Sequence, residues 1–256
     1  MKQSKNHLLY FKHRMKAVFT LSVGILFLSS CHKMNTTPAG SLKLNFSGHY
    51  GPLVFHALEP YAYAGNQTIK FSKFDFYITG VQLIGSKETT NLNQHGLIDL
   101  TGNGSAFVLN DIAADNYHTL KLSIGVTPEL NKKLPKDFPS NDPLSNTSHY
   151  WESWNSFIFS KMEGVLDTSG LKTFDLGFAV HTGTDSCLQF VTFQKPITIA
   201  SNEETQVNLD VDVRRVFSQS SQFFDLIRSP LNHNPTNLET LKLFSTRLAG
   251  AMQITN

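Results

Sequence analysis

The sequence predicts an all-β fold, an antiparallel two-sheet β-sandwich with a short C-terminal helix. Three observations favour this class. Segments in which apolar and polar residues alternate recur along the chain, and these segments are rich in Phe, Val, Ile and Thr. Turn-forming residues separate them. No amphipathic helical pattern stands between them, which is typical of antiparallel sandwiches.

The predicted strands follow one another between residues 41 and 213. Alternation over several residues indicates a strand with one buried face. The segments are SLKLNF (41–46), TIKFSKFDFYITGVQLIG (68–85), TLKLSIGV (119–126), FIFSKMEGVL (157–166), FDLGFAVH (174–181), QFVTFQKPITIA (189–200) and TQVNLDVDV (205–213). The tail from 237 to 252 has leucines at helical spacing, so we expect it to form a helix that caps the sandwich. Residues 41–256 are therefore predicted to be a single domain.

A long loop rich in Pro, Asn and Ser interrupts the series of strands at residues 128 to 149. It leads directly into HYWESWNSFIFSKMEG, which contains both tryptophans of the chain, Trp151 and Trp154. Long loops in compact domains are usually functional or disordered. Because this loop ends in a predicted strand, we expect it to be functional.

The N-terminus has the features of an export signal, predicted over residues 1–30. A basic segment without acidic residues precedes the apolar run AVFTLSVGILFL, which is short for a membrane span. The stretch from Leu28 to Cys31 resembles the lipobox of bacterial lipoproteins, in which the cysteine carries the lipid. We therefore predict a lipidated Cys31 with a short tether (31–40), which attaches the domain to a membrane of the cell envelope.

The charge of the chain does not favour a nucleic-acid partner. The full sequence has 22 basic and 20 acidic residues, but five of the basic residues precede Cys31 and leave with the signal. The remaining 17 basic residues against 20 acidic ones leave a net charge of −3. Because no basic cluster occurs elsewhere, we expect no binding to nucleic acid.

The sequence has none of the common catalytic signatures. It lacks G-x-S-x-G, HExxH, a Walker-type glycine loop, C-x-x-C and C-x-x-C-H. Cys31 is assigned to the lipid, so Cys187 has no disulfide partner and is interpreted as a small buried hydrophobic residue. We therefore expect that the protein is not an enzyme.

Four histidines are candidates for a metal site: His49, His56, His149 and His181. Neutral imidazole binds zinc, copper, iron and nickel, and spacing alone does not choose among these metals. His49 and His181 each follow a run of strand residues, and a glycine comes two positions after each of them. Both are thus expected near strand ends, where the loops of a sandwich cluster.

Several blocks of the sequence together resemble the MbnP-like copper-binding proteins, a family of exported bacterial proteins. YWESWNSFIFSKMEG is similar to the family's tryptophan motif, in which W-x-W and a glycine lead into a strand that ends in Lys-hydrophobic-Glu-Gly. Further similar blocks are LKLNFSGHYGPL, FSKFDFYITGVQL, LIDL, DNYHTLKLSIGV, FAVHTG and LDVDVRRVF, and they cover roughly residues 41 to 217. In the ungapped register, Ser153 replaces the second tryptophan of the motif and Ser156 replaces its glycine.

The resemblance implies a copper site. In the family, histidines bind copper together with a tryptophan that has been oxidised to kynurenine, and an MbnH-like dihaem peroxidase-type partner is held to carry out the oxidation. Carried over by position, this implies His49 and His181 as ligands and Trp151 as the oxidised residue. Trp154, His149 and His56 are further candidates for a metal ligand or a modified residue. The implied function is copper acquisition or storage in the periplasm or at the outer membrane.

Three alternatives stay open at this point. Both tryptophans are equally consistent with a purely structural role, as part of the core or as anchors of the loop. A second alternative is a cell-surface lipoprotein that binds a glycan or peptide with the long loop and exposed aromatic residues. A third is a structural component of an envelope assembly, which would show a large apolar surface patch and no pocket. The sequence does not indicate an oligomeric state.

Overall fold

A computed structural model describes residues 38–102, 105–219 and 222–255 of the protein. These residues fall within one compact unit. The predicted signal peptide (1–30), the predicted lipidation site Cys31 and most of the predicted tether lie outside the described residues, so those assignments stay predictions.

Seventeen strands are found in the described ranges, and most are short. They are β1 Ala39–Tyr50, β2 Leu53–Val54, β3 Tyr61–Ala62, β4 Thr68–Gly85, β5 Thr89–Leu92, β6 Gly96–Asp99, β7 Ser105–Ala113, β8 Asn116–Ile124, β9 Tyr150–Trp151, β10 Ser156–Asp167, β11 Leu176–Gly183, β12 Gln189–Thr198, β13 Glu204–Asp212, β14 Ser218–Gln219, β15 Gln222–Phe223, β16 Leu231–Asn232 and β17 Met252–Thr255.

Helices occupy much less of the chain. They are α1 Pro128–Asn131, α2 Val213–Phe217 and α3 Leu238–Ala251, together with the 3-10 turns Pro135–Asp137, Pro143–Ser145, Thr147–His149, Glu152–Trp154, Asp185–Cys187 and Pro235–Asn237. Within the part of the chain that the structure describes, no helix has the length and apolarity needed to cross a membrane.

Two main sheets form the sandwich. Sheet A has five strands in the order β17-β13-β1-β2, with β7 also paired to β1. Sheet B has ten strands along the path β12-β8-β4-β10-β11-β16, and β3, β5 and β6 pair with β4 while β9 pairs with β10. A separate ribbon joins β14 and β15. The predicted all-β sandwich is confirmed.

The pairing is antiparallel with two exceptions. β1 runs parallel to β13, and β11 runs parallel to the short β16. The first exception follows from the distance along the chain, because β13 begins more than 150 residues after β1 and no hairpin links them. The second exception places His233, the residue after β16, beside β11.

The inner faces of the two sheets share one aromatic core. Phe46 and Tyr50 of β1 contact Phe76 and Phe71 of β4, with ring centroids 6.2 Å apart in each pair. Phe71 also packs edge-on against Phe178 of β11 at 5.8 Å. All five rings are at most 4% exposed, and they belong to one continuous core cluster. The alternation seen in the sequence thus has its cause in burial between two sheets.

The C-terminal helix α3 lies within the predicted segment and packs on the sandwich. Its buried face includes Leu241, Phe244 and Leu248. Arg247 is also buried, and its Nη1 donates to the carbonyl oxygen of Phe217 at 2.9 Å. After α3 the chain continues as β17, which pairs with β13. The tail is therefore both the predicted cap and an edge strand of sheet A.

The region from 128 to 149 lies over the outer face of sheet B. It contains α1 and three single 3-10 turns. The Tyr77 hydroxyl, which comes from the outer face of β4, donates to the carbonyl oxygen of Pro143 at 2.9 Å. Leu144 is fully buried. The segment predicted as a long loop is therefore a packed cover on sheet B.

Replacing Gly164 with alanine is expected to destabilise the fold by about 3 kcal/mol, because the position has no room for a methyl group. A Cβ there would stand 1.9 Å from the Lys70 carbonyl oxygen and 2.8 Å from the Phe178 ring. The register between β10 and β4 shifts at this residue, which brings the backbones close together. Urea unfolding of the variant would measure the loss.

Gly177, on the neighbouring strand β11, is the matched control. A Cβ there would meet no atom within 4 Å, so Gly177→Ala is expected to change the free energy of unfolding by less than about 0.5 kcal/mol. Equal effects of the two substitutions would contradict this account of the bulge.

Candidate functional site

Strands β10 and β11 carry polar residues on the outer face of sheet B. In β11, Phe178 and Val180 are buried in the core, so His181 points to the outside. Lys161 of β10 is directly opposite His181 in the antiparallel register, and Glu163 lies one pair further along on the same face. The predicted strand end thus places a histidine beside a lysine and a glutamate.

His181 has one engaged and one free ring nitrogen. Its Nε2 lies 2.7 Å from Oε1 of Glu163. Because a carboxylate accepts hydrogen bonds, Nε2 is the donor and, in the neutral ring, Nδ1 carries the lone pair. Nδ1 is buried and has no hydrogen-bond partner in the described part of the chain. Burial also lowers the pKa of His181, although the hydrogen bond that it donates to Glu163 opposes this, so the neutral form is favoured at neutral pH.

A second histidine, His233, lies next to His181, because it directly follows β16, which pairs with β11. The parallel register pairs Val180 with Asn232, which brings the next residues, His181 and His233, side by side. Asn232 is fully buried and is held by hydrogen bonds to Ser229, one of them 2.6 Å long to the Ser229 carbonyl. The His181 and His233 ring centroids are 6.0 Å apart.

Trp151 comes to these histidines from the other side, at the start of the tryptophan segment. β9 pairs antiparallel with the beginning of β10, with Trp151 opposite Ser156. The chain reverses between them through a 3-10 turn that ends at Asn155, whose φ of 49° is left-handed. The Tyr150 hydroxyl donates to Oδ1 of Asn155 at 2.9 Å and closes this turn.

Trp151, His181 and His233 form a compact group that we call the ring cluster. The Trp151 centroid lies 5.7 Å from that of His181 and 6.0 Å from that of His233. With the 6.0 Å between the two imidazoles, the three rings form a nearly equilateral triangle. The ring cluster therefore joins two predicted site residues, Trp151 and His181, with one that was not predicted.

Trp154 has a different position. Its ring packs against Trp151 at a centroid distance of 4.5 Å, with the two ring planes tilted by 43°, but the ring contacts of the described residues join it to neither histidine. It is partly buried against the core, and it lies over Gly183, where a Cβ would be 3.4 Å from the indole. Trp154 thus supports the Trp151 ring and anchors the turn.

The structure does not bring His49 to this group. His49 lies on the outer face of sheet A, beside Asp210 of the parallel strand β13. Its Nδ1 forms a very short contact with Asp210, and its Nε2 is 3.6 Å from Asp212. Both ring nitrogens of His49 therefore face carboxylates. The core of the sandwich separates His49 from His181.

The other two candidate histidines are also outside the ring cluster. His149 is buried, and its Nε2 lies 3.0 and 3.1 Å from the two oxygens of Asp75. Its Nδ1 is 3.1 Å from the hydroxyl of Ser148, so both nitrogens are engaged. His56 is exposed; its backbone N–H donates to the Tyr61 hydroxyl, which in turn donates to the His56 carbonyl oxygen.

The ring cluster has the donors for a metal ion but not a complete set. Among residues 38–102, 105–219 and 222–255, no group of three or more His, Cys, Asp or Glu side chains is arranged to hold a metal. Two imidazoles leave a metal such as copper under-coordinated, and an indole offers no lone pair in the plane of its ring. A further ligand atom would have to come from a modified Trp151 or from a carboxylate.

The sequence reasoning missed His233 and the role of Glu163. His233 lies in the polar stretch LNHNPTN, beyond the strands that alternation predicts, and β16 is only two residues long. The sequence signal for His233 was weak: a histidine between two asparagines, just before a proline. Glu163 lies in the Lys-Met-Glu-Gly stretch of β10, and its position two residues after Lys161 puts it on the same face of the strand.

Comparisons with known proteins agree with the resemblance drawn from the residues. The family model MbnP matches residues 39–235. Among solved structures, MbnP from Methylosinus trichosporium is similar, with 15% sequence identity and a TM-score of 0.48 over 72% of this chain and 79% of that chain. No curated protein matches the chain. The family match rests on the sequence over most of the described residues, including every member of the ring cluster, and it confirms the resemblance.

Proposed function

Because the chain belongs to the MbnP family, we propose that it is a copper-binding protein of the bacterial cell envelope that takes part in copper acquisition or storage. The proposed site is the ring cluster, with His181 and His233 as ligands. The resemblance to the family implied His49 as the second ligand. We propose His233 instead, since His49 faces two aspartates on the opposite side of the sandwich.

The buried, unpartnered Nδ1 of His181 is the observation that carries this proposal. A buried nitrogen with a lone pair and no donor costs free energy, roughly 1–3 kcal/mol, unless something binds to it. Metal-binding histidines commonly donate their second N–H to a carboxylate, as His181 does to Glu163. The residues of the site thus fit a soft or borderline metal, and bound copper would supply a redox-active or transferable ion.

The incomplete ligand set supports a second part of the proposal, that Trp151 is oxidised to kynurenine. Two equivalents of peroxide, acting through an MbnH-like dihaem partner, would cleave the C2–C3 bond of the indole and insert one oxygen atom at each carbon, with release of two waters. Hydrolysis would then remove formate. The product carries a ketone and an aniline, both of which offer lone pairs that the indole lacks.

We place the protein at the cell envelope because of its predicted export signal and the predicted lipid on Cys31. The tether would hold the domain at a membrane surface. We propose a binding role, without catalysis of its own, since His181 and His233 serve as ligands and Glu163 serves as the hydrogen-bond partner of His181.

Purification of the protein from its native envelope tests the proposal. We expect about one copper ion per chain and a peptide across 149–164 in which Trp151 has lost one carbon atom and gained one oxygen atom, the composition of kynurenine. Protein that stays metal-free after copper is supplied, with both tryptophans intact, would contradict copper binding in this member of the family.

Replacing Glu163 with glutamine is expected to weaken copper binding by about 10- to 100-fold, because the hydrogen bond to His181 Nε2 loses its charged acceptor. Glutamine can also donate to Nε2, which would place the proton of the ring on Nδ1. A competition titration with a copper chelator measures the change. Glu152, which is exposed and in the same segment, supplies the control Glu152→Gln, for which wild-type affinity is expected.

A cavity between sheet B and its cover favours one alternative function, the binding of a small ligand. The cavity has a volume of about 620 Å³, and Gln82, Asn91, His95, Lys133 and Phe138 are among the residues that line it. The His95 Nδ1 is buried and has no partner among the described residues. Binding of oligosaccharides or peptides that is abolished by His95→Ala and unchanged by His181→Ala would support this alternative.

A further inference from the structure

A group of charged residues around the buried Asp75 lies between sheet B and the segment that leads to Trp151. Asp75 of β4 is fully buried, and its Oδ2 is 2.8 Å from Nζ of Lys73. Lys73 also reaches Asp99 at 3.1 Å. Burial of Lys73 disfavours its charge, but its hydrogen bonds with the two aspartates outweigh burial and raise its pKa. The group is thus a well-satisfied ionic network under the cover.

His149 connects this network to the tryptophan segment. It donates its Nε2 hydrogen to Asp75, and its ring contacts the edge of Tyr77 at a centroid distance of 5.6 Å. A second attachment lies beside it, because Lys161 Nζ donates to the Ser148 carbonyl oxygen at 2.6 Å. Lys161 is the register partner of both Asp75 and His181. The attachments and the candidate ligand therefore occupy one row across three strands.

We propose that Asp75 and His149 are positioning residues, which hold the chain so that the Trp151 ring lies against His181 and His233. This inference rests on the proposed copper site. Only Tyr150 separates His149 from Trp151, and the two steps of chain span about 7 Å at most, so a displacement of His149 is passed on to Trp151. Its two engaged nitrogens mean that His149 acts through this geometry and not as a ligand.

The first test is made on the metal-free full-length protein. Nuclear Overhauser effects between the Trp151 and His181 rings are expected in the wild type and lost in Asp75→Asn. The matched control is Asp210→Asn, which removes a carboxylate from the histidine–aspartate pair on the outer face of sheet A. The control is expected to keep the ring contact. A contact that survives in Asp75→Asn, or that is lost equally in both variants, would overturn the proposal.

The second test uses copper(II) as the probe. We expect Asp75→Asn to raise the copper dissociation constant by about 10- to 100-fold and to change the hyperfine pattern in electron paramagnetic resonance, with Asp210→Asn unchanged. Wild-type affinity and spectrum in Asp75→Asn would overturn the positioning role. A wild type that binds no copper would instead overturn the proposed function, while the ring-contact experiment would still test the positioning.

A milder variant covers the case in which Asp75→Asn does not fold. His149→Phe keeps an aromatic ring against Tyr77 and removes the hydrogen bond to Asp75, which retains its ion pair with Lys73. It is expected to weaken the Trp151–His181 ring contact and to raise the copper dissociation constant severalfold. If both quantities are those of the wild type, the cover does not position Trp151 and the proposal fails.

Discussion

His181→Ala is expected to reduce bound copper from about one ion per chain to nearly none, with a change in the free energy of unfolding of less than about 1 kcal/mol. The substitution removes the proposed ligand atom Nδ1. It also removes a buried polar atom that has no partner in the described structure, and this gain offsets the packing that the imidazole loses. Glu163, left without its partner, is 39% exposed and can bind water instead.

His49→Ala is the matched control, because it removes an imidazole with a carboxylate partner on the opposite face of the sandwich. Metal analysis of both variants measures bound copper, and thermal unfolding measures the change in stability. Copper retained by His181→Ala and lost by His49→Ala would place the site at β1 and contradict the ring cluster. A steep loss of stability in His181→Ala, with copper binding intact, would mean that His181 is structural.

The strands that were predictable are those with one face in the core. β4, β10 and β13 alternate because every second side chain packs between the sheets. β7 was not predicted, although it has nine residues and buries Leu109 and Ile112, because a bulge at Asp111, whose φ is 59°, interrupts its alternation. The parallel partnership of β1 and β13 could not be predicted, because alternation shows which face is buried but does not identify the neighbouring strand.

The candidate site illustrates the same limit. His49 and His181 have nearly the same local sequence signal, a strand-like run and a glycine one or two positions away from the histidine. What distinguishes them is the partner across the sheet, two aspartates for His49 and one glutamate with a free nitrogen for His181. The register of the paired strands decides which carboxylates face each histidine. Similarly, His233 joins the site only through a two-residue parallel strand, which no periodic pattern indicates.

The segment from 128 to 149 shows how far composition can be used. Its length and its Pro and Asn content indicated a functional loop, and it does lead to Trp151. The composition did not indicate that the segment would be fastened to sheet B by Tyr77 and by the buried pair of Asp75 and His149. These contacts depend on a register shift in β4, after which Asp75 and Tyr77 face the cover. The attachment of this segment therefore depends on how the strands of sheet B pair, and not on the composition of the segment.

Trp151→Phe is expected to leave the fold intact, to eliminate kynurenine and to raise the copper dissociation constant by about 100-fold, which corresponds to about 2.7 kcal/mol. Trp151 is only partly buried and lies on a two-residue strand, so phenylalanine can occupy its place without a large cavity. It cannot be converted to kynurenine, and the two imidazoles would be left without the additional ligand. Peptide masses, metal content and thermal unfolding of protein from the native host measure the three effects.

Trp154→Phe is the companion variant, because the two tryptophan rings pack against each other but differ in their other neighbours. Trp154 packs against the core and over Gly183, so its replacement is expected to cost more stability than that of Trp151. Kynurenine should still form at Trp151, which alone of the two contacts both histidines. Kynurenine found at Trp154 in the wild type would show that the register of the tryptophan motif is displaced. The ligand set would then have to be built around the ring that lies against the core.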